Sequence, residues 1–322
     1  MIEVLLIMLL FSGAKQSDFS KEKTLFLKAF LPFLVIASHY CPSIITPAKN
    51  IQLLGWFSVS IFFFISGYGL SVKVKKNRLK LSYLVNKVIC LLIPLAIAVY
   101  MYIGFCSLFV EKPLNIDLLS DIKNNYVVHP TTWFVISLVY LNIIFFVAHS
   151  FFEKKQLLVL TVLVLLLMLS QKLCNVSGTY FMSDLAFVSG AFFAKYGEKV
   201  QKVPMWVIKV SFSFLMLLEL IHLKGFTFVN SFLLPICFIL LFCSIKLFRN
   251  KIVDFLSKIS YELYLGQIVA AVVVYHYFER GIESFVFIVL LDVVLAYVIC
   301  VCSKMLKTLF STMVLYRKGK ET

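Results

Sequence analysis

The chain has 322 residues, is 61% apolar and 16% aromatic, and has a mean hydropathy of +0.96. Soluble domains are about half apolar, and the apolar runs here are continuous rather than alternating, so a soluble globular domain and a β-barrel are both excluded. The 31 Lys+Arg against 16 Asp+Glu give a net charge of +15, which the positive-inside rule explains in a polytopic helical membrane protein without a nucleic-acid partner.

Met1 to Ser12 is apolar but too short to span, and Glu3 is its only charge. Residues 1–14 are therefore expected to form an interfacial helix or to reflect a misassigned start. Ten spans are predicted after them, at 24–42, 51–72, 83–105, 132–150, 156–172, 179–195, 204–222, 226–246, 254–277 and 284–304. With the N-terminus inside, 25 of the 31 basic residues fall on inner segments and 6 on outer ones. That alternation predicts an all-α, N-in/C-in membrane protein with basic patches facing anionic lipid or an anionic ligand. With no appended domain or repeat, residues 1–322 read as a single membrane domain.

The first span carries Lys28 and His39. Eleven residues are about three turns, so the two share a helix face, roughly 16 Å apart. An ionisable group within a membrane helix is a functional candidate, although a lysine near a span end also snorkels to headgroups. The second span holds Ser66, Gly67 and Gly69, which suit close helix packing or the lining of a ligand tunnel. Arg78 and Lys87 belong to a basic group on the inner side, beginning at Lys73. The longest polar connection, Glu111 to Pro130, contains His129 and leads to Trp133, which reads as an aromatic-belt anchor or a wall of a site. Three acids lie in later spans: Asp184 in the outer half of the sixth, at the depth of His39, Glu262 near the inner end of the ninth, and Asp292 within the tenth; such acids orient an imidazole or pair with Lys or Tyr. The eight cysteines show no metal or disulfide spacing, and no metal is expected.

Several segments together resemble the acyltransferase-3 family of integral membrane O-acyltransferases. They are Lys28 to Tyr40, Ser58 to Leu70 with its aromatic run ending in Ser-Gly, Tyr83 to Pro94, Thr132 to Leu138 with its Trp-Phe pair, and Ser260 to Leu265. The segments follow the family's order. There are departures: the family usually has Arg at Lys28 and near Lys87, and His at Gln267. Lysine binds phosphate without the bidentate fork of arginine.

The resemblance implies transfer of an acyl group, acetyl or longer, from cytosolic acetyl-CoA or another acyl-CoA to a hydroxyl of a cell-surface polysaccharide or lipid-linked sugar. It places the protein in a bacterial cytoplasmic membrane. Lys28, Arg78 and Lys87 are then expected to hold donor phosphates, with Ser66 and Gly67 lining the donor path. His39 is expected to act as general base, or as nucleophile, with Asp184 orienting it as in a triad. Trp133, His129 and Tyr40 are expected on the acceptor side. The competing reading is an exporter of the same sugars, which calls for paired discontinuous helices in two halves.

Overall fold

The computed structural model describes residues 13, 19–41, 48–76, 79–109, 130–176, 178–220, 227–247 and 250–318. Arg78 and His129, residues 1–12 and most of the 111–130 connection lie outside the described residues.

The described residues form α-helices joined by short connections, with no strand among them. In chain order these are α1 (Lys21–Tyr40), α2 (Ala48–Lys76), α3 (Leu81–Phe109), α4 (Thr132–Phe151), α5 (Gln156–Leu173), α6 (Asp184–Val200), α7 (Met205–Leu220), α8 (Thr227–Cys243), α9 (Lys251–Lys258), α10 (Ser260–Tyr277) and α11 (Ile282–Lys318). Each predicted span overlaps a helix, but not every one of these helices is long and apolar enough to cross a bilayer. Among the described residues α2, α3, α4, α5 and α11 contain stretches long and apolar enough to cross a bilayer, and α9 with α10 adds a sixth if read as one broken span. The described parts of α7 and α8 are shorter apolar helices. α6 has only 17 residues, and α1 carries lysines and a histidine among its apolar residues.

Two boundaries differ from expectation for physical reasons. The predicted ninth span is broken at Ile259, whose backbone (φ −109°, ψ 12°) leaves the regular helical region between α9 and α10. The sixth begins five residues late. Asn175, at φ 55°, follows the end of α5, a left-handed turn that Asn tolerates better than most residues. Gly178–Tyr180 then forms a tight 3-10 turn before α6 starts.

The residues cluster into two compact units, one from residues 1–84 and 136–257 and the other from 85–135 and 258–322. In the first, α2 is the central element, packed by α1, α6 and α8. A helix that is apolar all round belongs in an interior, and Ile61, Phe63 and Phe64 of α2 are fully buried. Gly67 and Gly190 set the α2–α6 crossing. A Cβ on Gly67 would sit 2.9 Å from the Phe187 carbonyl carbon, and one on Gly190 would sit 2.8 Å from the Tyr68 backbone nitrogen. Phe19, Phe64, Tyr68 and Phe193 pack edge-on and tilted beside this crossing, and the Tyr68 hydroxyl donates to the Phe19 carbonyl at 3.2 Å. Lys73 lies over the Tyr83 ring, 3.6 Å from its centroid, tying the end of α2 to the start of α3.

In the second unit α10 packs along α11. Gly266 faces Asp292, and a Cβ there would lie 2.5 Å from the Asp292 Oδ1. Pro94 interrupts the α3 hydrogen-bond ladder, and the Tyr261 hydroxyl donates to the nearby Leu91 carbonyl at 2.7 Å.

Candidate active site on helix α1

α1 starts where Ser20 caps it, its hydroxyl accepting from the Lys23 amide at 3.4 Å, with Glu22 in the first turn. Both features suit the positive end of the helix dipole. The Lys23 side chain is buried, and its Nζ donates to the Cys243 carbonyl at the end of α8. A cation there meets the negative end of that helix. Lys23 does not stand out in the sequence from the other basic residues of the N-terminal segment. The signal available was a second lysine in the first turn of a helix that is otherwise mostly apolar.

The helix then runs unbroken to Tyr40, so Lys28 and His39 share one face, as their spacing requires. Lys28 is half-buried and His39 is exposed. Pro32 lies between them inside the helix. Its missing N–H leaves the Lys28 carbonyl without its i+4 donor, so backbone and ammonium at Lys28 are both left to other partners.

The last turn is held against α2. Ser38 is buried, its hydroxyl donates to the Val35 carbonyl at 2.6 Å, and a Cβ on Gly55 would lie 3.1 Å from the Ser38 Cβ. This close crossing fixes the backbone next to His39 while leaving the imidazole outward. The half-buried Tyr40 follows, its ring centroid 5.9 Å from that of His39. The arrangement offers a positioned titratable ring at one end of a helix face and an ammonium toward the other. Such a pair can hold an anionic group and move a proton at separated points.

Other candidates fall elsewhere. Asp184 is fully buried at the N-terminus of α6, and its neighbour Ser183 receives a hydrogen bond from Ser60 of α2 at 3.1 Å. Neither Asp184 carboxylate oxygen makes a hydrogen bond among the described residues. The expected Asp184–His39 bond is therefore not formed here, with the carboxylate enclosed and the imidazole exposed. Gly67 is taken up by the contact with Phe187, and Ser66 beside it is half-buried.

Lys87 and Trp133 belong to the second unit, both partly exposed. Next to Trp133, the Phe134 ring packs on the buried Tyr264 at 4.6 Å. Gln267, at the position where the related family has His, is 1% exposed and donates through Nε2 to the Tyr264 carbonyl at 2.9 Å. Its Nε2 is thus taken up within its own helix, whereas the buried Oε1 makes no hydrogen bond among the described residues. Among the described residues no three His, Cys, Asp or Glu side chains gather as a metal site would need.

A family model described as an acyltransferase domain matches residues 26–305. No curated protein and no solved structure gives a significant match. The matched region runs from within α1 through most of α11 and includes both Lys28 and His39. This chain, a multi-pass helical membrane protein, therefore belongs to the acyltransferase-3 family.

Proposed function

We propose that the protein moves an acyl group, acetyl in the simplest case, from acyl-CoA on the inner side of the membrane to a hydroxyl of a cell-surface polysaccharide or lipid-linked sugar. The observation that carries this reading is the single continuous helix holding half-buried Lys28 and exposed His39 on one face. Lys28 would take a donor phosphate as a point charge. The thioester, at the end of the pantetheine arm, would then be presented toward His39.

A neutral imidazole removes the proton from the acceptor hydroxyl as its oxygen attacks the thioester carbonyl. The tetrahedral intermediate collapses, the C–S bond breaks, and the imidazolium returns the proton to the departing thiolate. Protons balance without an external acid. Asp184 would support this only if α6 or α1 shifted to bring its carboxylate to the ring. The parts proposed for Arg78, Lys87, Ser66 and Gly67 on the donor, and for Trp133, His129 and Tyr40 on the acceptor, rest on the motif resemblance.

The second reading is export of the same sugar, which would use discontinuous helices; the break between α9 and α10 is one such helix rather than the pair that reading calls for. Mass spectrometry of surface glycan separates the two. Cells carrying wild-type protein, His39→Ala or no protein are compared for a mass step of one acyl group per repeat. A step that requires wild-type protein supports transfer. Unchanged glycan mass with loss of surface glycan supports export, and a full acyl step with His39→Ala overturns the mechanism.

A further inference from the structure

We propose that the groove between α5, α6 and α8 is a binding site for one anionic phospholipid. The groove is a pocket of about 440 Å³ within the first unit. Its rim carries Lys154 and Lys155, where α5 begins, and Lys195 of α6. All three are exposed. Its floor is apolar, formed by Leu157, Val188, Phe192 and Phe232.

The aromatic groups are linked. The Phe192 ring lies 4.9 Å from Tyr196 and 6.0 Å from Phe232. Lys195 and Lys199 both stand over the Tyr196 ring, 5.2 and 6.0 Å from its centroid. An aromatic face that gathers two ammonium groups keeps positive charge at one end of an apolar trough.

The direction in which the groove opens decides the class of ligand. Leu158, on its wall, is exposed, and so are Val162, Leu165, Leu169 and Leu173 further along α5. Their spacing of three and four residues places them on one face. The helix is about 27 Å long, close to the hydrocarbon thickness of a bilayer. The lysine-rimmed end thus continues into an apolar stripe that faces lipid. A soluble phosphate would use the rim and leave the stripe idle. A phospholipid uses both: its phosphate meets the lysines, the glycerol region reaches Thr161, and one acyl chain follows the stripe. Basic pockets between membrane helices select anionic headgroups in this way. The site is independent of Lys28 and His39, so the proposal does not rest on the catalytic reading.

The test is native mass spectrometry of the purified full-length protein in detergent, titrated with phosphatidylglycerol or with phosphatidylcholine. Wild-type protein is expected to retain one phosphatidylglycerol in preference to phosphatidylcholine. The triple variant Lys154→Gln, Lys155→Gln, Lys195→Gln should lower that preference at least about 30-fold, given three lysines near one headgroup. All three are exposed, so the variant is expected to elute from gel filtration as wild type does. The triple variant Lys246→Gln, Lys251→Gln, Lys258→Gln, at exposed lysines on α9 and just before it, is the charge-matched control and should bind as wild type. Equal retention by the triple variant overturns the site. So does an equal loss in the control, which would mean general surface charge. Displacement of the lipid by inorganic phosphate or free CoA at micromolar concentration would reassign the rim to a soluble phosphate ligand and overturn the lipid proposal.

Discussion

Gly67→Ala puts one methyl group into the tightest helix crossing described in the first unit. The new Cβ would stand 2.9 Å from the Phe187 carbonyl carbon and closer still to its oxygen. Carbon atoms pack best at roughly 3.5–4.0 Å, so the α2 and α6 backbones must part by about 1 Å. Neither can yield by rotating a side chain, because the opposing atoms are backbone. A gap of that size forfeits roughly a quarter to a half of the dispersion energy of the contacts along it. Overpacking of this kind costs about 1–3 kcal/mol, and the backbone-to-backbone contact argues for the upper end. Gly190→Ala meets Tyr68 and Phe64 backbone in the same way and should cost as much.

The control lies two residues along. Gly69 is exposed, and a Cβ there meets nothing within 4 Å. Gly69→Ala should therefore be neutral or stabilise by up to about 1 kcal/mol through helix propensity. The assay is thermal unfolding of the detergent-solubilised protein, followed by the fraction remaining monodisperse on size exclusion. A Gly67→Ala midpoint equal to that of Gly69→Ala would refute the crossing as described.

Other expectations can be checked in the same preparation. His39→Ala should abolish acyl transfer while leaving expression and the thermal midpoint unchanged, since the ring is exposed; a midpoint shift as large as that of Gly67→Ala would assign it a packing role instead. Lys28→Ala should raise the KM for acyl-CoA at least about tenfold, the value of one charge-assisted contact of about 1.5 kcal/mol, with kcat changed much less, and Lys28→Arg should restore it. An unchanged donor KM in Lys28→Ala removes the phosphate contact. Lys23→Met should cost about 1.5–3 kcal/mol by uncapping the Cys243 carbonyl, read as a lower thermal midpoint with unaltered donor KM. Tyr261→Phe should cost about 1 kcal/mol through its lost bond to Leu91, and wild-type stability in that variant would show the bond to be dispensable.

The amino-acid sequence by itself determined the class of the molecule, the approximate position of most helices and the shared face of Lys28 and His39. Hydrophobic run length and the 3.6-residue period act within one segment, so they are legible without knowing what packs where. Lys28 and His39 share a face because eleven residues on one helix leave no other choice. Gly67 was ambiguous on that basis between packing and lining a ligand path. Only the tertiary structure shows its packing contact, because Phe187 lies 120 residues away in the chain. The same holds for Lys23 on Cys243 and for Asp184, whose depth in its predicted span suited a partner for His39 but whose enclosure at the α6 N-terminus depends on neighbouring helices. Ile259 shows the limit within a single segment. A run of apolar residues reports a tendency to leave water, not the backbone angles at one residue, and the break between α9 and α10 is set by those angles. Periodicity therefore yields elements and faces, whereas pairings between distant segments are fixed by which surfaces fit once all the helices have formed.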